Sequence, residues 1–188
     1  MQTKHQFKTN SRQSFFGLQT IRRFKDDEDG VAAIEFGMLA LPFLMLIFAI
    51  LETALGFFAA QVFESGVDTV GREIRTGQIQ SDTTTATQVR DKICAETWGL
   101  FECASIQLDV KTYVNFPDAP LTTPRDVDGN FDNSGLSFDT GSAGSTVIVR
   151  AFYEWPVFLD ILWQSVTGLS NGKRLLVATT AFQNEPFD

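Results

Sequence analysis

The sequence predicts an α+β protein: one long apolar helix near the N-terminus, a second helix, and a small antiparallel sheet in a downstream domain. Three observations carry this. Phe36 to Leu51 is an uncharged run of sixteen residues. Beyond it, apolar residues recur at helical spacing, first at Phe63, Val67, Val70 and Ile74, then at Ala86, Val89 and Ile93. Three later segments, 105–114, 145–155 and 173–182, read as strands.

Sixteen residues span roughly 24 Å as a helix, short of the ~30 Å hydrocarbon core of a bilayer. The run reaches that length when Val31–Ile34 and Thr53–Ala60 are included, so the sequence places a transmembrane helix over 31–60. Thr53 is the only polar side chain in those two flanks. Glu35 and Glu52 then fall near the two edges of the hydrocarbon, where a carboxylate is tolerated better than at the centre. Pro42 bends the helix without ending it. A buried helix of a soluble protein is the bland competitor, and no other segment is able to cover so long an apolar surface. A secretory signal peptide is a second competitor, but the run is too long and no small-x-small cut site follows it cleanly. The suggestive cut site lies before the run, at Gly30. A cut there leaves Val31 first and Glu35 fifth in the new chain.

Gly30-Val31-Ala32-Ala33-Ile34-Glu35-Phe36 resembles the processing site of type IV prepilins and pseudopilins, G-x-x-x-x-E-[FY]. The longer string from Arg22-Arg23-Phe24-Lys25 through the acidic 26–29 run and the apolar helix to Leu51-Glu52 resembles the TadE-like proteins of the tight-adherence (Tad) pilus. Tyr153-Glu154-Trp155-Pro156 and Phe182-Gln183-Asn184-Glu185-Pro186-Phe187 are similar to that family's C-terminal strings. The resemblance implies that 1–30 is a cytoplasmic leader cut after Gly30 by a prepilin peptidase, with Gly30 and Val31 the processing site. It implies a pilin-like periplasmic domain over 61–188. It also makes Glu35 and Phe36 assembly residues. Cleavage creates an α-amine on Val31, positive at neutral pH, and a neighbouring subunit's Glu35 is its natural partner in an apolar bundle. The alternative for Glu35 is an interfacial carboxylate reaching water, and Glu52 reads as an edge-of-membrane residue or a subunit contact.

Charge supports the same layout. Residues 1–30 carry six Lys/Arg and four Asp/Glu, a net of +2, whereas 61–188 carry nine and seventeen, a net of −8. Basic residues before the helix favour a cytoplasmic N-terminus. The acidic domain is a poor candidate for nucleic acid. Cys94 and Cys103 are the only cysteines; in an oxidising compartment a close pair reads as one disulfide, with two buried thiols as the alternative.

Residues 1–20 are polar and mixed, expected to be disordered or weakly helical. The acidic run 26–29 suits a helix N-terminus. The long helix is expected to continue to about Thr76, with Gly77 as its stop. The second helix is expected from Thr85 to Gly99, with Trp98 on its apolar side. In the first strand Ile106, Leu108 and Val110 share one face and Gln107, Asp109 and Lys111 the other, a half-buried pattern. A short apolar helix is expected over 157–167, through Phe158, Leu159, Ile161, Leu162 and Trp163. The polar loop 115–144 is long enough to be functional or mobile. Within it Asp126, Asp128, Asn130 and Asp132 alternate as in a calcium loop. The glycine, however, is fourth in that run and Ser137 stands where the terminal Glu belongs, so an Asx-turn-rich loop is favoured over a calcium site.

The only histidine, His5, lies in the leader, and no phosphate-binding glycine loop or dinucleotide fingerprint appears. The sequence therefore reads as a structural protein and not an enzyme, with no cofactor and no metal beyond that weak calcium candidate. The expectation is a minor pilin or pseudopilin of a Tad-type pilus, single-pass in the bacterial inner membrane, with pilins and inner-membrane assembly proteins as partners. The alternative is an uncleaved membrane-anchored protein whose periplasmic domain binds a partner or an envelope ligand.

Overall fold

Helix α1 runs from Asp29 to Arg75 and passes Pro42 without a break. The computed structural model describes residues 29–114, 116, 122–157 and 169–187. Residues 1–28 of the expected leader, residues 158–168 with all but the first residue of the expected helix 157–167 and its Phe158–Trp163 cluster, and part of the polar loop lie outside the described residues. The chain divides into two units, Met1–Ile47 and Phe48–Asp188. The described part of the first is α1 alone. The second holds the rest of α1 and the α+β domain.

The C-terminal part of α1 is amphipathic as its spacing predicts. Phe63, Val67, Val70 and Ile74 are all buried, and they form the centre of the core. The helix ends in a Schellman motif: Gln78 N–H donates to the Glu73 carbonyl (2.9 Å) and Gly77 N–H to that of Ile74 (3.0 Å). Gly77 takes φ +76°, which favours glycine. A Cβ there would also come within 2.5 Å of the Phe187 ring.

Helix α2 covers Ala86–Glu96, shorter than the expected 85–99. Thr85 is its N-cap in a reciprocal capping box with Gln88. It stops because the Thr97 hydroxyl bonds the Cys94 carbonyl (2.7 Å) and Trp98 and Gly99 turn into the left-handed region. That turn carries Trp98 off the apolar side: it is 80% exposed. Cys94 is bonded to Cys103, with Cα atoms 5.4 Å apart. The bridge ties the end of α2 to the short 3-10 turn Cys103–Ser105.

Three strands follow, β1 (Gln107–Tyr113), β2 (Thr146–Trp155) and β3 (Arg174–Gln183), in the antiparallel order β1-β2-β3. Val110 sits opposite Val149, and Val149 opposite Thr180. One face of the sheet packs on α1 and α2. Gly71 lets α1 approach β3: a Cβ there would lie 2.6 Å from the Thr180 methyl.

The half-buried reading of β1 is corrected. Asp109, on the nominally outer face, is 1% exposed. The polar loop folds back over that face. Phe131 packs on Phe152 with ring centroids 4.9 Å apart. Val110 N–H donates to the Ser137 carbonyl (2.7 Å), and Asp139 N–H donates back to Val110 (2.9 Å), so the loop also closes the outer edge of β1. Beneath it the Asp109 carboxylate accepts from Arg150 Nη2 (2.7 Å), Lys111 Nζ (3.0 Å) and Ser137 N–H (3.0 Å). Arg150 Nη1 reaches on to the Thr122 carbonyl (3.2 Å).

Two predictions follow from these contacts. Asp109→Ala leaves the Arg150 guanidinium buried without its carboxylate and costs about 3–5 kcal/mol. The double change Asp109→Leu/Arg150→Met is expected to be less damaging than Asp109→Ala alone; thermal melts of the three proteins in detergent check the order. Cleaving the Cys94–Cys103 bridge removes a short loop closure worth about 2–3 kcal/mol. In native, unreduced, denatured protein neither thiol should label, and reduction should lower the melting temperature.

Candidate functional site

The first turns of α1 carry the residues singled out as a processing and assembly site. Gly30 and Val31 lie in the opening turn, where backbone N–H groups have no acceptor within the helix. Among the described residues nothing approaches within 4 Å of the position a Cβ would take at Gly30 or Gly37. Glu35 is exposed, and among the described residues it makes no ion pair. Phe36 beside it is 74% exposed. Leu39, Phe43, Leu46 and Ile50 continue the same uncovered surface. An apolar surface of that extent marks a membrane or protein contact.

α1 is long and apolar enough to cross a membrane, and among the described residues nothing buries its most apolar window. Every backbone group within such a span must be satisfied internally. A helix does this, and the one polar side chain in the flanks follows suit: Thr53 Oγ1 donates to the Ala49 carbonyl (2.8 Å). Glu52 is half-buried.

The two C-terminal strings that carry the family resemblance both serve the docking of α1. Tyr153 and Trp155 pack on Phe101, with centroids 4.8 and 5.7 Å away, and Phe101 packs on Phe63 of α1 at 5.1 Å. Glu154 between them turns outward to Lys173 (3.1 Å). Asn184 donates through Nδ2 to the carbonyls of Thr140 (2.9 Å) and Ser142 (3.0 Å). Glu185 N–H then satisfies the carbonyl of Arg75, the last residue of α1 (2.9 Å), and its carboxylate pairs with the Arg75 side chain (3.2 Å). Phe187 lies over Gly77. The task of these strings is not visible locally, because their partners are distant in sequence: Phe101 lies about fifty positions before the first string, and Arg75 and Gly77 more than a hundred before the second.

The calcium-like run forms Asx turns. Asp126 Oδ1 accepts from the backbone N–H of Asp128 (3.0 Å) and Asn130 (2.7 Å). Asp132 Oδ1 accepts from Ser134 N–H (2.9 Å); that bond and one from the Ser134 side chain hold its carboxyl below the usual range. Among the described residues no group of three or more His, Cys, Asp or Glu side chains is arranged to hold a metal ion.

Residues 30–72 match the model of a family described as TadE-like protein. No curated protein and no solved structure matches the chain. The match begins at Gly30 and ends inside the docked part of α1, so it covers the uncovered apolar surface and the start of its packing on the domain. Over that segment, about a quarter of the chain, the protein is similar to TadE-like proteins.

Proposed function

We propose that the protein is a minor pilin or pseudopilin that acts structurally in assembling a Tad-type pilus used for surface adherence. The observation that carries this reading is the position of the family match. It starts at the glycine that precedes the apolar helix, the residue after which a prepilin peptidase would cut. In this reading residues 1–30 are a cytoplasmic leader, 31–60 lie in the inner membrane, and 61–188 form the periplasmic domain. The partners are the peptidase, other Tad pilins and inner-membrane assembly proteins.

The physical chemistry of the new terminus supports an assembly role for Glu35. Cleavage hydrolyses the Gly30–Val31 peptide and leaves an ammonium on Val31. In a lone subunit that group stays at the interface with water. In a bundle of staggered helices it enters a low-dielectric setting, where an unpaired charge costs several kcal/mol. Glu35 of a neighbour, uncovered on its own helix, supplies the compensating charge.

Two tests follow. Intact-mass measurement of protein extracted from membranes should show a new N-terminus at Val31, and Gly30→Leu should retain the leader while still inserting, because insertion depends on the apolar run. An unshortened wild-type chain favours instead an uncleaved anchor presenting its domain to a partner. Glu35→Ala and Glu35→Gln should both process normally yet reduce crosslinking to pilus partners and pilus yield at unchanged subunit level. Normal assembly in both would leave Glu35 as an interfacial carboxylate.

A further inference from the structure

Where α1 leaves the domain, the first residue of β3 sets a basic side chain against it that has no acidic partner among the described residues. The Arg174 guanidinium lies over the Phe57 ring, 5.3 Å from its centroid, and Nη1 comes 3.6 Å from where a Cβ on Gly56 would be. Among the described residues no carboxylate pairs with it. Lys173, its neighbour in sequence, is by contrast neutralised by Glu154 at 3.1 Å.

The position of Arg174 in the fold gives this pair a meaning. β3 runs alongside α1 in the same direction, with Arg174 beside Gly56 and Thr180 beside Gly71. The start of β3, and Trp155 opposite it, therefore lie at the end of the domain where α1 becomes uncovered. Phe57 and Phe58 are more than half exposed. One turn and more toward the apolar run, Ala49, Ile50, Thr53, Ala54 and Phe57 border an open apolar groove of about 470 Å³. Aromatic rings with an arginine just above an apolar surface are the composition of a membrane–water interface. A guanidinium is weakly hydrated and forks onto two phosphate oxygens, and stacking on an aromatic face leaves its N–H edges free to do so.

We propose that Arg174 binds the phosphate of an anionic phospholipid whose acyl chain lies in the groove between Ala49 and Phe57, and that this contact fixes the depth at which the domain meets the bilayer. The proposal rests on the membrane-anchored reading of α1. The lipid supplies what the described residues do not: a negative charge for the guanidinium and an apolar cover for the groove.

The test uses the full chain in bilayers holding equal amounts of phosphatidylglycerol and phosphatidylcholine, with photoreactive benzoylphenylalanine replacing Ile50 on the rim of the groove. Lipid adducts are counted by intact mass. With Arg174 present, phosphatidylglycerol adducts should exceed phosphatidylcholine adducts by about two- to fivefold, the effect of one basic side chain near an anionic surface. Arg174→Gln should bring the ratio to parity, Arg174→Lys should keep part of the preference, and Lys173→Gln should leave it unchanged. A ratio that Arg174→Gln does not alter overturns the proposal and leaves Arg174 as a pin between β3 and α1, detected as a lower melting temperature alone. Absence of adducts with either lipid would instead overturn the membrane-anchored reading itself.

Discussion

The structure depends on one helix meeting two different surroundings. A three-stranded sheet is too small to hide its own apolar face, and needs a helix laid across it. α1 supplies that cover with Phe63, Val67, Val70 and Ile74, all but inaccessible to solvent. The same helix, over Phe36–Leu51, offers only uncharged and almost wholly apolar side chains to its surroundings. The two roles impose different patterns on one helix. A span needs uniform apolarity over the stretch from Phe36 to Leu51, whereas docking needs a stripe. The change of pattern falls near Gly56 and Ala59, which are buried while Phe57 and Phe58 stay exposed.

Docking is reinforced at points far apart in the sequence. Phe101 and Tyr153 grip the helix at Phe63, Thr180 and Phe182 fill the space beside Gly71, and the Asn184-Glu185 segment caps the last carbonyl at Arg75. The last of these is the most economical in residues. A helix C-terminus has carbonyls with no partner of their own, and here Gly77 folds the chain back on two of them while Glu185 satisfies another. The second face of the sheet is handled differently. Among the described residues it is covered by the polar loop, which packs Phe131 on Phe152 and is held by the Asp109–Arg150 pair.

What was legible in the sequence follows the range of the interaction concerned. α1 and its stop at Gly77 are written in local spacing and in one glycine, and both could be read. So could the start of α2 near Thr85, although the reciprocal capping by Gln88 shows only in the structure. Asp109 misled because alternation reports which face a side chain takes, not what later covers that face; its cover comes from Ser137 and its cation from Arg150, 41 residues on. Trp98 misled for a local reason. Its spacing from Cys94 continues the helical period, but Thr97 ends the helix and the left-handed turn at Trp98 resets the direction. At the candidate site, Gly30, Glu35 and Phe36 were visible as a motif, whereas the Arg174–Phe57 pair was not: nothing in a sequence tells which of nine downstream cations lies at the mouth of a helix.

The lipid contact and the assembly role constrain each other. A helix leaving a bilayer for a filament exchanges lipid for protein along its whole apolar length, where the exchange is nearly neutral because acyl chains and side chains are alike apolar. Charged contacts are not exchanged so evenly. On the proposed function the Val31 ammonium would gain a partner on entry, whereas on the proposed lipid contact Arg174 would lose its phosphate. Unless a neighbour replaces that charge, the guanidinium opposes extraction. Residues 61–188 carry a net of −8, so carboxylates are plentiful on the domain of any neighbouring copy or similar subunit. An acidic domain and an arginine that has no carboxylate partner among the described residues thus fit together in the proposed scheme: each subunit would surrender one phosphate to the bilayer and meet a carboxylate in the next subunit, with the apolar helix indifferent to the change.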